Sequence, residues 1–252
     1  MNARKTRWPA AAWILVAAAA AAGILAGEVP AQDSESGPAS DADLRAGLPE
    51  NAAEGWYARI ETSKGPIVAQ LLPRQAPQSV AHFVALAEGD LEWVDPLTGE
   101  RKKGRFYDGT RVHKALAGMR FETGDPTGTG RGGPALYVPE EGRGPVNFSV
   151  AGRLGMTRAP GSRISAHQFF VTASAQPFLN GFHPCFGVVI VGRDVVMEIS
   201  AVKTYSNGRP IEPVTIESVR IFTIGDPPPL AAPKPHQPRL ERARPIPGTD
   251  QR

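Results

Sequence analysis

A mainly β domain, a mostly antiparallel closed sheet carrying two helices, is predicted by three features of this sequence. Short apolar pieces rich in β-branched and aromatic residues recur between glycines and prolines over the second half of the chain. Two more such pieces near residue 60 are joined by a tight polar turn, and only two stretches carry helical spacing. Strands and helices do not alternate, so a parallel βαβ sheet is excluded in favour of hairpin-connected antiparallel strands.

The elements follow in order. Arg4, Lys5 and Arg7 make a basic start, and Trp8 to Gly27 is an uncharged, alanine-rich run. Residues 1–31 read as an export signal, with Val29-Pro30-Ala31 as the cleavage site. The same run reaches the roughly 20 residues that a spanning helix needs, so an uncleaved N-terminal membrane anchor is the alternative. Residues 32–55, rich in Ser, Glu, Asp, Ala and Gly, are too polar to bury a core and read as a linker. The folding unit is then 56–225, within the size range of one domain.

Trp56 to Thr62 and Pro66 to Leu72, linked by Ser63-Lys64-Gly65, predict a hairpin. Val80, Phe83, Val84 and Ala87 recur at i, i+3, i+4 and i+7, with Pro77 near the start and Gly89 at the stop, which predicts a helix. Asp90 to Arg105 is polar and reads as a long surface loop. Strands are expected at 111–116, 119–122, 146–150, 154–157, 167–173, 186–191 and 214–222. A second helix is expected over 194–202, with Val195, Ile199 and Val202 as its buried stripe. From Asp226 onward eight prolines predict a disordered or polyproline-type tail.

Several chemistries are excluded. A single cysteine, Cys185, forms no internal disulfide and no ordinary zinc site, and reads as a small buried hydrophobe. A net charge of +3 is weak for nucleic-acid binding, and the cluster Arg101-Lys102-Lys103-Gly104-Arg105 reads as a solvated loop. Gly128-Thr129-Gly130-Arg131-Gly132-Gly133 has the spacing of a dinucleotide-binding turn, but Pro134 and Pro139 follow where a helix would have to begin. It reads as a surface loop beside Gly124-Asp125. No metal or cofactor is implied.

The segment Ala166-His167-Gln168-Phe169-Phe170-Val171-Thr172 is the most informative. Alternation sets Gln168, Phe170 and Thr172 on one face of a strand and His167, Phe169 and Val171 on the other. An amide beside an aromatic ring on a rigid strand offers directional hydrogen bonding next to an apolar surface, as small binding pockets do.

Taken with Glu61-Thr62-Ser63-Lys64-Gly65-Pro66-Ile67, Ala76-Pro77-Gln78-Ser79-Val80-Ala81-His82-Phe83, Phe106-Tyr107-Asp108-Gly109-Thr110, Gly124-Asp125-Pro126 and Phe178-Leu179-Asn180-Gly181-Phe182-His183, this segment resembles the cyclophilin-type peptidyl-prolyl cis-trans isomerases, in the subgroup of secreted bacterial members. The resemblance spans most of Ala58 to Phe222. It implies a closed eight-stranded antiparallel barrel capped by two helices, and an enzyme that needs no cofactor. The partners it implies are proline-containing polypeptides, with no nucleic acid, handled by a monomer.

The implied chemistry is rotation about an X-Pro amide, whose barrier is about 18–20 kcal/mol. In the twisted amide the proline nitrogen can accept a hydrogen bond, so a fixed donor beside a dry pocket lowers the barrier without covalent chemistry. By resemblance, Gln168 holds the substrate backbone, Phe170 floors the proline pocket, Phe178 and Leu179 form a wall, and His183 stands at the rim. Lys114 occupies the position of the family's catalytic arginine. Met119 replaces a pocket phenylalanine, Arg120 an apolar residue, Glu122 a glutamine and Ala117 a proline. His113 joins Met119, Arg120 and Glu122 among the substrate-binding candidates, while as a residue it reads as a packing histidine. The replacements predict a reduced rate, because lysine is a mobile point charge where arginine is a planar fork, and because Glu122 competes for the nearby cations. A non-catalytic peptide-binding module is the alternative, and visits of the proline-rich tail to the site in cis are a third reading.

Overall fold

The computed structural model describes residues 40–159, 161 and 163–234. The export signal or anchor at 1–31, the start of the linker and the tail beyond 234 lie outside the described residues. Among those described, no helix is long and apolar enough to cross a membrane.

The described chain begins within the stretch read as a polar linker, and part of that stretch is docked. Ser40 and Asp43 form a reciprocal cap on the one-turn helix α1 (Asp41–Arg45). Leu44 and Leu48, four residues apart, pack against Tyr57, Val68 and Phe222. Two leucines at that spacing find an apolar partner although their neighbours are polar.

The predicted hairpin forms from β1 (Gly55–Thr62) and β2 (Gly65–Leu71). Thr62 Oγ1 closes its turn by donating to the Gly65 carbonyl at 2.7 Å and accepting from Lys64 N–H at 3.1 Å. Helix α2 (Pro77–Glu88) follows as expected, and Gly89 ends it at φ 82°, a left-handed conformation that favours glycine. The expected loop over 90–105 carries a small hairpin, β3 (Trp93–Val94) with β4 (Arg101–Lys102). Its cations face carboxylates: Arg101 pairs with Glu92, Lys102 with Asp95 and Arg105 with Glu88.

The remaining strands are β5 (Lys114–Leu116), β6 (Arg120–Thr123), β7 (Tyr137–Val138), β8 (Arg153–Arg158), β9 (Ile164–Thr172), β10 (Cys185–Val191) and β11 (Ile216–Ile224). Residues 146–150, expected as a strand, are a turn that delivers Phe148 to the candidate site. The second helix is α3 (Arg193–Ser200), with Val196 and Ile199 fully buried and Val195 partly so; it stops short of Val202, which packs on the core from the turn that follows.

The main sheet has nine strands in the order β11-β1-β2-β10-β8-β9-β6-β5, with β7 added beside β9, and every pairing is antiparallel. It corrects the expectation of a closed eight-stranded barrel, because no ladder joins β5 to β11. The two edges meet only through an isolated bridge, Arg111 to Thr215, and through bonds such as Val112 N–H to the Val214 carbonyl at 2.9 Å. The chain turns at Gly109 before a three-residue β5, leaving too short an edge for a closing ladder. The result is an open, strongly curled sheet with α2 packed on β9 and β11, and α3 packed on β2, β5 and β6.

Phe83 of α2 stands in the core, its ring 5.1 Å from Tyr107, 5.4 Å from Phe169 and 5.3 Å from Phe186. The start of the proline-rich tail is tied down. Trp56 Nε1–H donates to the Pro228 carbonyl at 3.0 Å, Gln78 bonds both Ala232 and Lys234, and Leu230 packs on the main core.

Candidate active site

Strand pairing sets Lys114 opposite Glu122, and Glu122 opposite Phe170. Directly paired residues share a face, so these three side chains form one row across β5, β6 and β9. Arg120 and Gln168, two residues along their strands, stand on the same face. The predicted alternation in β9 is what forms: Phe169 and Val171 enter the main core, while Phe170 joins a smaller cluster with Phe148, Leu179 and Cys185. Gly155 of β8 pairs with Phe170, and a Cβ there would lie 2.3 Å from the ring's Cζ, so only glycine lets the ring cross that strand. Burial pushes the Cys185 thiol up to about 11, which keeps it protonated and inert, the small hydrophobe expected.

Gln168 is buried, and its Nε2 donates to the Gly132 carbonyl at 2.8 Å. That carbonyl belongs to the glycine-rich loop, which wraps Asp125 and leads into no helix. Asp125 Oδ1 accepts from the amide and hydroxyl of Thr127, and Oδ2 accepts from both groups of Thr129 and from Gly132 N–H. Burial alone would raise the Asp125 pKa, but these donors outweigh it and hold the carboxyl below its ordinary value. Asp125 therefore organises the loop that Gln168 touches.

The charged residues form a ladder of unequal contacts. Glu122 Oε1 lies 3.1 Å from Arg120 Nε and 3.8 Å from Lys114 Nζ. Only the first is a hydrogen bond, so the carboxylate is engaged mainly by the arginine and the lysine is loosely held. Arg120 is further fixed by its NH1, which donates to Gln176 Oε1 at 2.8 Å, and its guanidinium lies 5.5 Å from the centre of the Phe170 ring. Gln176 is itself fully buried, donating to the Met119 carbonyl at 2.5 Å.

Phe170, expected to floor the proline pocket, lies beneath its neighbours. The ring is 1% exposed, covered by Phe148 at 5.3 Å, by the edge of His183 at 5.2 Å and by Arg120. A charged side chain at position 120 stacks on the aromatic face as a cation does, in place of the apolar neighbour the resemblance implied. Leu179 is buried against Phe170, whereas Phe178 is 59% exposed and stands outside that cluster, and Met119 is exposed at the edge.

His183 Nδ1 lies 2.9 Å from the Met156 carbonyl, which can only accept, so Nδ1 carries the proton and Nε2 is left as an acceptor. Burial holds the His183 pKa below the usual histidine value, so the ring is neutral near pH 7. His113 is buried beside the glycine loop, its Nδ1 without a hydrogen-bond partner among the described residues, and burial again lowers its pKa. His167 packs within the fold, its Nδ1 2.9 Å from the Gly124 carbonyl. Among the described residues no cluster of His, Cys, Asp and Glu could hold a metal ion.

Lys114, Arg120, Glu122, Gln168, Phe170, Leu179 and His183 are thus brought together, with His113 at the border and Phe178 and Met119 at the exposed margin. Sequence reasoning missed Phe148, which it assigned to a strand, and Gln176, whose role depends on a carbonyl 57 residues away. A buried amide preceding Pro177 carries no local signal of that contact.

Comparison with known proteins identifies the family. The family model for the cyclophilin type peptidyl-prolyl cis-trans isomerase/CLD matches residues 57–221. Peptidyl-prolyl cis-trans isomerase B of Streptomyces anulatus is 42% identical over 174 residues, covering 68% of this chain and 99% of the relative. Peptidyl-prolyl cis-trans isomerase A of Mycobacterium tuberculosis is 39% identical over 166 residues, covering 65% of this chain and 91% of the relative. A Cryptosporidium parvum cyclophilin type peptidyl-prolyl cis-trans isomerase, crystallised in the presence of the dipeptide Ala-Pro, superimposes with a TM-score of 0.56 at 28% identity, over 66% of this chain and 98% of that one. With its curled antiparallel sheet, its Gln168 and Phe170 strand and a family match over most of its length, the chain belongs to the cyclophilin-type peptidyl-prolyl cis-trans isomerases.

Proposed function

We propose that this isomerase acts on proline-containing segments of exported proteins, and that Lys114 supplies the donor for the twisted amide at a reduced rate. The observation that carries the reading is the unequal sharing of Glu122. Its carboxylate is hydrogen-bonded by Arg120 at 3.1 Å, while Lys114 at 3.8 Å lies beyond hydrogen-bond reach. The ammonium, with 39% of its side chain exposed, can turn toward a bound peptide. As the amide rotates, its nitrogen loses conjugation and gains a lone pair that this ammonium can meet, which favours the twisted state over either planar one.

Two features lower the rate. Lysine holds its charge on a flexible stem and is strongly hydrated, so less of its donor strength is oriented before the reaction. Arg120 covers Phe170, so a prolyl ring has to pack against the aliphatic stem of Arg120 or displace it. Binding of proline peptides is supported by the solved relative crystallised in the presence of Ala-Pro. Export is supported by the basic start and the uncharged run Trp8 to Gly27.

The test is an exchange-spectroscopy measurement of X-Pro isomerisation with the purified protein and its Lys114→Arg, Arg120→Met, Glu122→Gln triple variant. The unmodified protein is expected to accelerate exchange measurably, and the triple variant to exceed it by roughly tenfold to hundredfold in kcat/KM. Peptide binding without acceleration in the unmodified protein would reject turnover and leave a binding module. Equal rates for both proteins would reject the assigned roles of residues 114, 120 and 122.

A further inference from the structure

We propose that the cavity adjoining Lys114 is a subsite for an anionic side chain, a client Asp or Glu flanking the isomerised proline. The inference rests on the isomerase reading, because it places the proline at Gln168 and Phe170 and its neighbour beyond Lys114 and Glu122. The cavity, about 500 Å³, is lined by Lys114, Glu122, Arg131, Asn207 and Arg209 together with the backbone of the glycine-rich loop. A polypeptide advances at most about 3.6 Å per residue, so a side chain one or two positions from the proline spans the row from Phe170 past Lys114.

The charge of this cavity is what selects the ligand. Lys114, Arg131 and Arg209 face it, and Glu122 is its one acidic lining residue. That carboxylate is shared between Arg120, which hydrogen-bonds it from outside the cavity, and Lys114 at 3.8 Å, so it leaves Arg131 and Arg209 without a counter-charge. Asp125 lies nearby, but the donors of its own loop occupy its oxygens. Neither Arg131 nor Arg209 makes an ion pair among the described residues, and Arg209 rests 5.2 Å from the Tyr205 ring. Guanidinium groups without carboxylate partners, next to a site that grips peptide backbone, offer paired donors of the geometry that a carboxylate accepts.

Both cations are presented by restrained loops. Arg131 rides on the loop that Asp125 ties together and that Gln168 fastens through the Gly132 carbonyl. Arg209 ends a turn whose Gly208 carbonyl accepts from Ala115 N–H at 2.8 Å, and Asn207 Oδ1 accepts from Arg209 N–H at 3.0 Å. The turn is thereby bonded to β5 directly beside Lys114. Loops already fixed in this way need no ordering of their backbone when a peptide binds, which lowers the entropic cost of each contact.

Acetylated, amidated peptides with one proline, carrying Glu or Gln at each of the two positions on either side, test this on the full chain. Affinity is read from amide shift perturbation and turnover from exchange spectroscopy on the same samples. At one position the Glu peptide is expected to bind roughly fivefold to twentyfold more tightly than its Gln counterpart at low salt, with the ratio approaching one at high salt. In the Arg131→Ala, Arg209→Ala variant that ratio is expected to collapse. Equal affinity for Glu and Gln at every position overturns the subsite, as does a preference that survives both high salt and loss of the two arginines. Turnover without preference rejects the subsite alone, and preference without turnover rejects only the isomerase role.

Discussion

Gln168 illustrates how a single residue couples the strand to the loop above it. Its Nε2 donates to the Gly132 carbonyl, which is held in place because Asp125 gathers the amides of the same loop. Replacing Gln168 by Ala removes one neutral, partly buried hydrogen bond, worth about 1 kcal/mol of stability. The effect on turnover is expected to be larger, roughly tenfold to hundredfold in kcat/KM, because a displaced loop misplaces the peptide. Parallel urea melts and exchange spectroscopy check the split, and a rate loss no greater than the stability loss would show that Gln168 only supports the fold. The residue reading legible from the strand alone was its face and its chemistry. Its partner was not, because the carbonyl lies 36 residues away on a loop whose path Asp125 sets.

At the scale of elements, α2 shows what periodicity carries and what it omits. The apolar spacing, Pro77 and Gly89 located the helix, because each acts through local backbone geometry. Its N-terminus lacks a local cap: Ala76 provides no side-chain acceptor, and Glu141 supplies one from a distant loop. The carboxylate accepts from Gln78 N–H at 3.0 Å and from Ser79 N–H, meeting two of the unpaired amides and the positive end of the helix dipole. Glu141→Ala is expected to lower stability by about 1 kcal/mol, with Glu141→Gln losing less because it still accepts. Urea denaturation at neutral pH measures both, and an unchanged midpoint for the alanine variant would remove the cap from the account.

For the whole molecule, the buried histidines set the pH range of the fold. Burial lowers the pKa of His82, His113, His167 and His183 below the ordinary 6.5. Above that value they are neutral in both the folded and unfolded states and contribute no pH dependence. As the pH falls through 6.5 the unfolded chain takes up protons that the folded one refuses, so stability declines until each folded pKa is reached. Asp125, depressed below 3.8, acts in the same direction at a lower pH: its stabilisation is present above 3.8 and is lost only as the pH falls below it. Urea stability is therefore expected to drop between about pH 7.5 and about pH 5.5, by up to roughly 1.4 kcal/mol per pH unit for each proton taken up. A flat profile across that window would contradict the burial of these rings.

The hairpin β1–β2, α2 and the two faces of β9 were readable from the chain because their signals are local: alternation, a 3.6-residue period, a proline or glycine at a turn. The reading of Lys114, Arg120 and Glu122 as substitutions in a peptide site came from the family resemblance, matched residue by residue along the same stretch. Whether the sheet closes, whether Phe170 is open or covered, and which cation holds Glu122 depend on distances between segments far apart in sequence. Burial and Coulomb energies vary steeply over a few ångströms, and local periodicity carries no measure of such distances. For that reason the packing of Arg120 over Phe170, and the gathering of Arg131 and Arg209 beside Lys114, were decided only when the strands and loops assembled.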